Sequence, residues 1–272
     1  GFETAVEELS TRLVKRGHEV VVYCRPHMVK FEGSTYKGVK LVKLPTIAHK
    51  HLDTIVHTCI STFHMLAKER CDVALYFIAG NSPFTFLPRI IGIPTAINVD
   101  GLDSQRAKWN RVAQVYLRFA ERLAPRAASE VISDSREIQK YYLEKFHAQS
   151  VFIPYGADMK PVPGSQWLDQ FGLKARDYIL FVGRLVPENC PDVLIEAYRG
   201  LKTDKKLVIV GDASYADEYI RKLKENAGPN VIFTGYLFGE GYRQLSMSAY
   251  VFTIPTVVGG THPVIVEALA AG

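Results

Sequence analysis

Five consecutive apolar residues, Tyr178-Ile179-Leu180-Phe181-Val182, constrain the fold of this chain more than any other stretch. The run is rich in aromatic and β-branched side chains and shows no polar alternation. It reads as a strand buried on both faces, hence a parallel one. A parallel strand needs a crossover, and one follows: after Gly183-Arg184 and a loop, Val193, Leu194, Ala197 and Tyr198 mark a helix. Arg184 is expected just past the C-terminal end of that strand, where open α/β sheets bind ligands. Its guanidinium is always charged and forks well onto phosphate. The plain alternative is a solvated arginine at a strand–helix junction.

The same alternation runs through the chain. Helices are expected over 2–16, 52–68, 83–91, 104–126 and 135–146, and strands over 19–24, 38–44, 72–79, 94–99, 130–132 and 151–153. In helix 104–126 the expected buried stripe is Trp109, Val112, Tyr116, Phe119 and Leu123. Arg106, Lys108, Arg111, Arg118, Arg122 and Arg126 make the rest of that helix basic. Residues 158–165, with Pro161, Pro163 and Gly164, read as a linker. Beyond it, strands over 178–182, 206–210, 231–234 and 250–254 alternate with helices over 216–226, 240–248 and 263–271. Both halves therefore read as doubly wound α/β layers, an amino-terminal domain over 1–160 and a carboxy-terminal one over 161–272.

Composition fits two such domains: 272 residues, 47% of them apolar, and a net charge of +5. The charge suits anionic substrates or a membrane surface and is too weak to argue for nucleic acid. Cys24, Cys59, Cys71 and Cys190 form no C-x-x-C pair and read as reduced thiols. His57 and His64 lie two helical turns apart, too far to share one metal ion. No apolar run reaches the length of a membrane span. The start at Gly1, and a stop inside the helix-like run ending Ala270-Ala271-Gly272, read as a fragment open at both ends.

In the carboxy-terminal half two loops are expected at the strand ends, after Val182 and after Ile254. The second reads Val258-Gly259-Gly260-Thr261-His262-Pro263 and runs into a helix. Backbone N–H groups of a glycine-rich turn at a helix N-terminus make an anion site. Glu267, one turn into that helix, can face the same place, and a carboxylate there suits a ribose diol. The plain alternatives are an ordinary loop and a solvated helix glutamate.

Taken together these residues resemble glycosyltransferase family 4. Gly1-Phe2-Glu3-Thr4 matches the tail of Gly-Gly-x-Glu-Thr. Ile153-Pro154-Tyr155-Gly156-Ala157-Asp158, Gly183-Arg184-Leu185-Val186-Pro187-Glu188 and Glu267-Ala268-Leu269-Ala270-Ala271-Gly272 follow in the family's order. Asn98-Val99-Asp100-Gly101-Leu102, Pro187-Glu188-Asn189, Gly239-Glu240-Gly241-Tyr242-Arg243 and Val258-Gly259-Gly260-Thr261 look like its rhamnosyltransferase-like branch in bacterial surface-polysaccharide synthesis. The resemblance spans nearly the whole chain.

It implies a GT-B fold of two Rossmann-like domains facing a cleft, with both domains incomplete here. It also implies a retaining, metal-independent transfer from a nucleotide-sugar donor to a glycan or lipid-linked acceptor. No cofactor or nucleic acid is implied, and a cytoplasmic protein, peripheral at the inner face of a membrane, is. Gly1 and Phe2 would approach the donor phosphates, and Arg184, beside Gly183, would steady the leaving diphosphate. Glu188 and Asn189 of the same loop would also bind the donor. Gly235 and Tyr236 would lie near the base. Gly260, Thr261 and His262 would offer backbone groups, and Glu267 would hold the ribose. Asp100, where the family usually carries a histidine on the acceptor side, is expected to be catalytic alongside Arg184; its plain reading is a turn aspartate.

Two positions depart from the broad family. Asn189 replaces a lysine, and Gly259 replaces the first glutamate of Glu-x7-Glu. Both changes occur in the rhamnosyltransferase-like branch. Two rivals share the architecture: a catalytically inactive nucleotide-sugar-binding scaffold and a GT-B UDP-sugar epimerase. A nicotinamide dehydrogenase is disfavoured, because no Gly-x-Gly-x-x-Gly follows any strand.

Overall fold

The structure, a computed structural model, describes residues 2–29, 31–49, 52–99, 101, 104, 109–213, 216–257 and 262–272. It divides into two compact units, Gly1–Tyr155 and Gly156–Gly272.

The first unit opens with α1 (Phe2–Lys15). Strands β1 (Val21–Cys24) and β3 (Val39–Lys43) then pair in parallel, and β2 (Thr35–Tyr36) joins β3 as an antiparallel edge. A second sheet holds β4 (Ala74–Phe77), β5 (Thr95–Val99), β6 (Glu130–Ser133) and β7 (Val151–Phe152) in that order, all parallel. The crossovers are α3 (Ser82–Ile90), α4 (Arg111–Ala127) and α5 (Arg136–Phe146), and α2 (Asp53–Lys68) precedes β4. The core joins Ile97, Val99 and Val131 of the sheet to Met65 of α2, Ala124 of α4, and Ile138 and Tyr142 of α5. Pro83 starts α3 because a first-turn proline gives up no helical N–H bond. Ser135 caps α5, its Oγ accepting from the Ile138 N–H at 3.2 Å.

Helix α4 differs from the expectation in extent and in face. It begins at Arg111, where the Asn110 side chain caps it by accepting from the Ala113 N–H at 2.9 Å; residues 105–108 lie outside the described ones. Its buried side chains are Leu117, Ala120, Glu121, Ala124 and Ala127. Val112 and Phe119, expected inside, are 79% and 57% exposed, and Val115 is 65% exposed. The reason is close approach. Ser82 Oγ donates to the Ala120 carbonyl at 2.7 Å, and only small residues fit that contact. Buried Glu121 is satisfied by the Ser104 N–H at 3.2 Å and the Tyr141 hydroxyl at 3.1 Å. In α1, Leu9 is exposed while Ser10 and Thr11 are buried, their hydroxyls donating to Val6 and Glu7 carbonyls.

The second unit holds one sheet in the order β10 (Val231–Gly235), β9 (Lys206–Val210), β8 (Tyr178–Val182), β11 (Val251–Phe252), all parallel. The helices are α6 (Gln166–Gln170), α7 (Pro191–Arg199), α8 (Asp217–Asn226), α9 (Gly239–Ser248) and α10 (Pro263–Ala271). The central strands are buried on both faces. Tyr178, Leu180, Val208 and Val210 pack on one side with Leu245, and Phe181, Leu207 and Ile209 on the other with Ile195 and Ile220. Each such side chain contributes roughly 1.5–3 kcal/mol on burial. In α7 the core residue is Ile195; Val193, expected inside, is exposed.

Candidate functional site

Counting the strands of the second unit in chain order, the sheet runs third, second, first, fourth. The order reverses between β8 and β11: α7, after β8, lies on the Ile195 face, and α10, after β11, packs beside α9 of the other face, so a crevice opens at the strand ends. The loops beside that crevice are those carrying Arg184 and residues 253–257. The sequence singled out both, and the structure ties them together. The Glu188 carbonyl accepts from the Val257 N–H at 3.1 Å and from Thr256 Oγ1 at 3.2 Å.

Arg184 is exposed, and among the described residues no group bonds its guanidinium. Its backbone is fixed instead. Asn189 Nδ2 donates to the Arg184 carbonyl at 2.8 Å, and the Leu185 N–H donates to the Asp212 carbonyl at 3.2 Å. Asn189 is therefore buried and turned into the loop, while a turn over Pro187–Asn189 carries the Glu188 carbonyl outward to Val257. An unpaired cation on a pinned backbone is suited to an anionic ligand.

Glycines line the strand ends. Gly183 follows β8, and its N–H donates to the Val210 carbonyl at 3.0 Å. Gly211 follows β9 with φ +141°, and a Cβ there would overlap the Gly183 carbonyl oxygen. Sequence reading gave Gly211 no role; its signal was only a glycine closing an apolar strand. Gly235 ends β10 at a register shift with φ +71°, and its carbonyl accepts from the Gly211 N–H at 2.9 Å. Tyr236, next in the chain, is exposed and stacks on Phe238 with ring centroids 5.8 Å apart.

His262 is the N-cap of α10, its carbonyl accepting from the Ile265 N–H at 2.9 Å, and Pro263 opens the helix. One turn in, Glu267 Oε2 accepts from the Tyr242 hydroxyl at 2.5 Å. Burial first, then the hydrogen bond and charge of Glu267, push the Tyr242 phenol far above its ordinary pKa, so it stays a donor. Tyr242 is a second residue that sequence reading did not assign. Phe2 opens α1. Gly1, Asp100, Gly260 and Thr261 lie outside the described residues, as does Gly259.

In the first unit, β4 is followed by Ile78, a β-branched residue held at φ +70°. Its N–H donates to the Asn98 carbonyl at 2.9 Å, and the Tyr116 hydroxyl secures Gly80 close by at 2.8 Å. Among the described residues no three His, Cys, Asp or Glu side chains gather as a metal site, and no helix is long and apolar enough to cross a membrane.

Comparison with known proteins places both units. Residues 1–158 match the family model described as a domain of unknown function, DUF1972, and residues 176–272 match that of Glycosyl transferases group 1. The chain belongs to the DUF1972 family, with a glycosyltransferase group 1 second unit. Its fold is GT-B. It is similar to sucrose-phosphate synthase from Thermosynechococcus elongatus, with TM-score 0.81 and 19% identity, covering 100% of this chain and 74% of that one. It is also similar to Anabaena Alr3699/HepE in complex with UDP and glucose, with TM-score 0.70 and 19% identity over 86% of this chain and 66% of that one. A curated relative is the N-acetylgalactosamine-N,N'-diacetylbacillosaminyl-diphospho-undecaprenol 4-alpha-N-acetylgalactosaminyltransferase of Campylobacter jejuni, 35% identical over 108 residues. That match spans 39% of this chain and 29% of the relative's length.

Proposed function

We propose that the chain is part of a retaining glycosyltransferase. It would move a sugar, rhamnose on the branch resemblance, from a nucleotide-sugar donor to a glycan or lipid-linked acceptor in surface-polysaccharide synthesis. The observation that carries this reading is unpaired Arg184 on a pinned loop at the switch point of the second sheet. The UDP and glucose bound to the Anabaena neighbour and the diphospho-undecaprenol-linked acceptor in the name of the Campylobacter relative support donor and acceptor class.

In this reaction the acceptor hydroxyl attacks the anomeric carbon on the face from which the nucleoside diphosphate departs. Charge grows on the diphosphate as the glycosidic bond breaks. Arg184 faces that charge, and its hydrogen bonds strengthen toward the transition state. Glu267 holds the ribose, whose bonding changes little, and contributes uniform binding. The reading includes no metal ion. It also puts the first unit on the cytoplasmic face of a membrane. There the exposed side of α4 presents Val112, Val115 and Phe119 among Arg111, Arg118 and Arg122.

A second reading, a nucleotide-sugar-binding scaffold without turnover, draws on Asn189. Where the broad family has a lysine, this side chain is spent on the Arg184 carbonyl and adds no second cation. Labelled nucleotide sugars and a full-length form separate the two. Slow donor hydrolysis or transfer supports the enzyme, and tight binding without turnover the scaffold. In the enzyme, Arg184→Ala lowers kcat on the order of 10²–10³-fold, as for a lost oxyanion donor, and changes KM less. Glu267→Gln raises donor KM about ten- to a hundredfold at near-constant kcat. The reverse pattern removes the assignment.

A further inference from the structure

Helix α9 is anchored on the side that faces the core. Gln244 accepts from the Trp167 N–H at 2.9 Å and donates to the Gly164 carbonyl at 2.8 Å. The Leu245 carbonyl accepts from the Tyr178 hydroxyl of β8 at 2.5 Å. At Gly241 a Cβ would press at 2.9 Å on Trp167 and Leu237, so the first turn of α9 lies flush on α6. Tyr242, next in the chain, thus projects from a fixed helix, and its hydroxyl meets Glu267 Oε2 of α10.

A glutamate on an exposed helix swings among several rotamers, and binding a sugar diol must fix one of them. Here one carboxylate oxygen already has a donor on a rigid neighbour. A carboxylate has about four acceptor positions, so one hydrogen bond leaves room for two hydroxyls. We propose that Tyr242 is a positioning residue: it holds the Glu267 carboxylate in the orientation that receives the ribose hydroxyls of the donor. The inference rests on the ribose assignment of Glu267 given above.

The test uses full-length protein and calorimetric titration with UDP and GDP, each beside its 2′-deoxy and 3′-deoxy forms. Wild type binds the ribonucleotide more tightly than the deoxy forms. Tyr242→Phe weakens ribonucleotide binding about three- to tenfold, the span of one modest hydrogen bond, and narrows the ribo-to-deoxy ratio by the same factor. On a Glu267→Gln background, where the ratio has already collapsed, Tyr242→Phe changes nothing further. An unchanged ratio in Tyr242→Phe, with collapse in Glu267→Gln, overturns the positioning role and leaves the ribose assignment standing. An unchanged ratio in Glu267→Gln overturns the ribose assignment and this inference with it. Equal weakening of ribo and deoxy forms, or a Tyr242→Phe protein that does not fold, assigns Tyr242 to architecture alone and overturns the proposal. Wild type that binds none of these nucleotides removes the donor reading itself.

Discussion

Asn189 and Arg184 are joined inside one loop, the amide of the first donating to the carbonyl of the second at 2.8 Å. The side chain that the broad family would use as a second cation is here a brace for the first. Losing one such hydrogen bond costs about 1 kcal/mol. Asn189→Ala should therefore lower the denaturant midpoint slightly and reduce kcat several-fold, because Arg184 is no longer held. Asn189→Lys should be more destabilising than Asn189→Ala, since the side chain enters a buried place without a partner for its charge. Equilibrium unfolding compared with turnover checks this; a stabilised Asn189→Lys would refute the brace.

Gly211 offers a sharper test of architecture. Any Cβ there overlaps the Gly183 carbonyl oxygen, and φ +141° is unfavourable for an L side chain. Gly211→Ala should cost on the order of 2–4 kcal/mol and separate the ends of β8 and β9. Chemical denaturation of the second unit's signal measures it. An unchanged midpoint would mean that the two backbones are not in contact.

The exposed face of α4 leads to a membrane prediction. Basic residues near an anionic bilayer contribute roughly 1 kcal/mol each. Co-sedimentation with vesicles containing anionic lipid should exceed that with neutral vesicles, and Phe119→Ser with Arg118→Glu should abolish the difference without loss of folding. Equal recovery with both lipids would remove the membrane contact.

His57 gives a pH dependence. It is buried in α2, and burial holds its imidazole below the ordinary histidine pKa, against a smaller opposing effect of the Cys24 carbonyl. The unfolded chain then binds more protons than the folded one below about pH 6.5. The contribution of this site to stability is present above that pH and is lost as pH falls through the folded pKa. His57→Gln should flatten the fall in stability between pH 6.5 and the acid limb, read as urea midpoints across that range.

Strand and helix order was legible because apolar runs such as 206–210 and 178–182 have one reading. The two loops of the site were legible too, since glycine, arginine and proline mark strand ends. Helix faces were less so. Weight of hydrophobicity pointed to Val112 and Phe119, while packing distance selected Ala120 and Ala124, and nothing in α4's own sequence announces the Ser82 contact. Tyr242 was hidden for a similar reason. Its partner lies 25 positions away, and only tertiary structure brings the two together. Short elements such as β2 and α6 carried too few residues to show a period.

The double hold of the Glu188 carbonyl on Thr256 and Val257 bears on how a ligand is received. Two segments nearly seventy residues apart in the chain share one acceptor atom, so amide exchange at Val257 should be slow for a position outside any helix or strand. On the donor reading proposed above, an anion arriving between them meets walls already set. The disorder that a free loop would surrender on capture has been given up during folding, and the affinity gained is affinity that no contact with the ligand supplies.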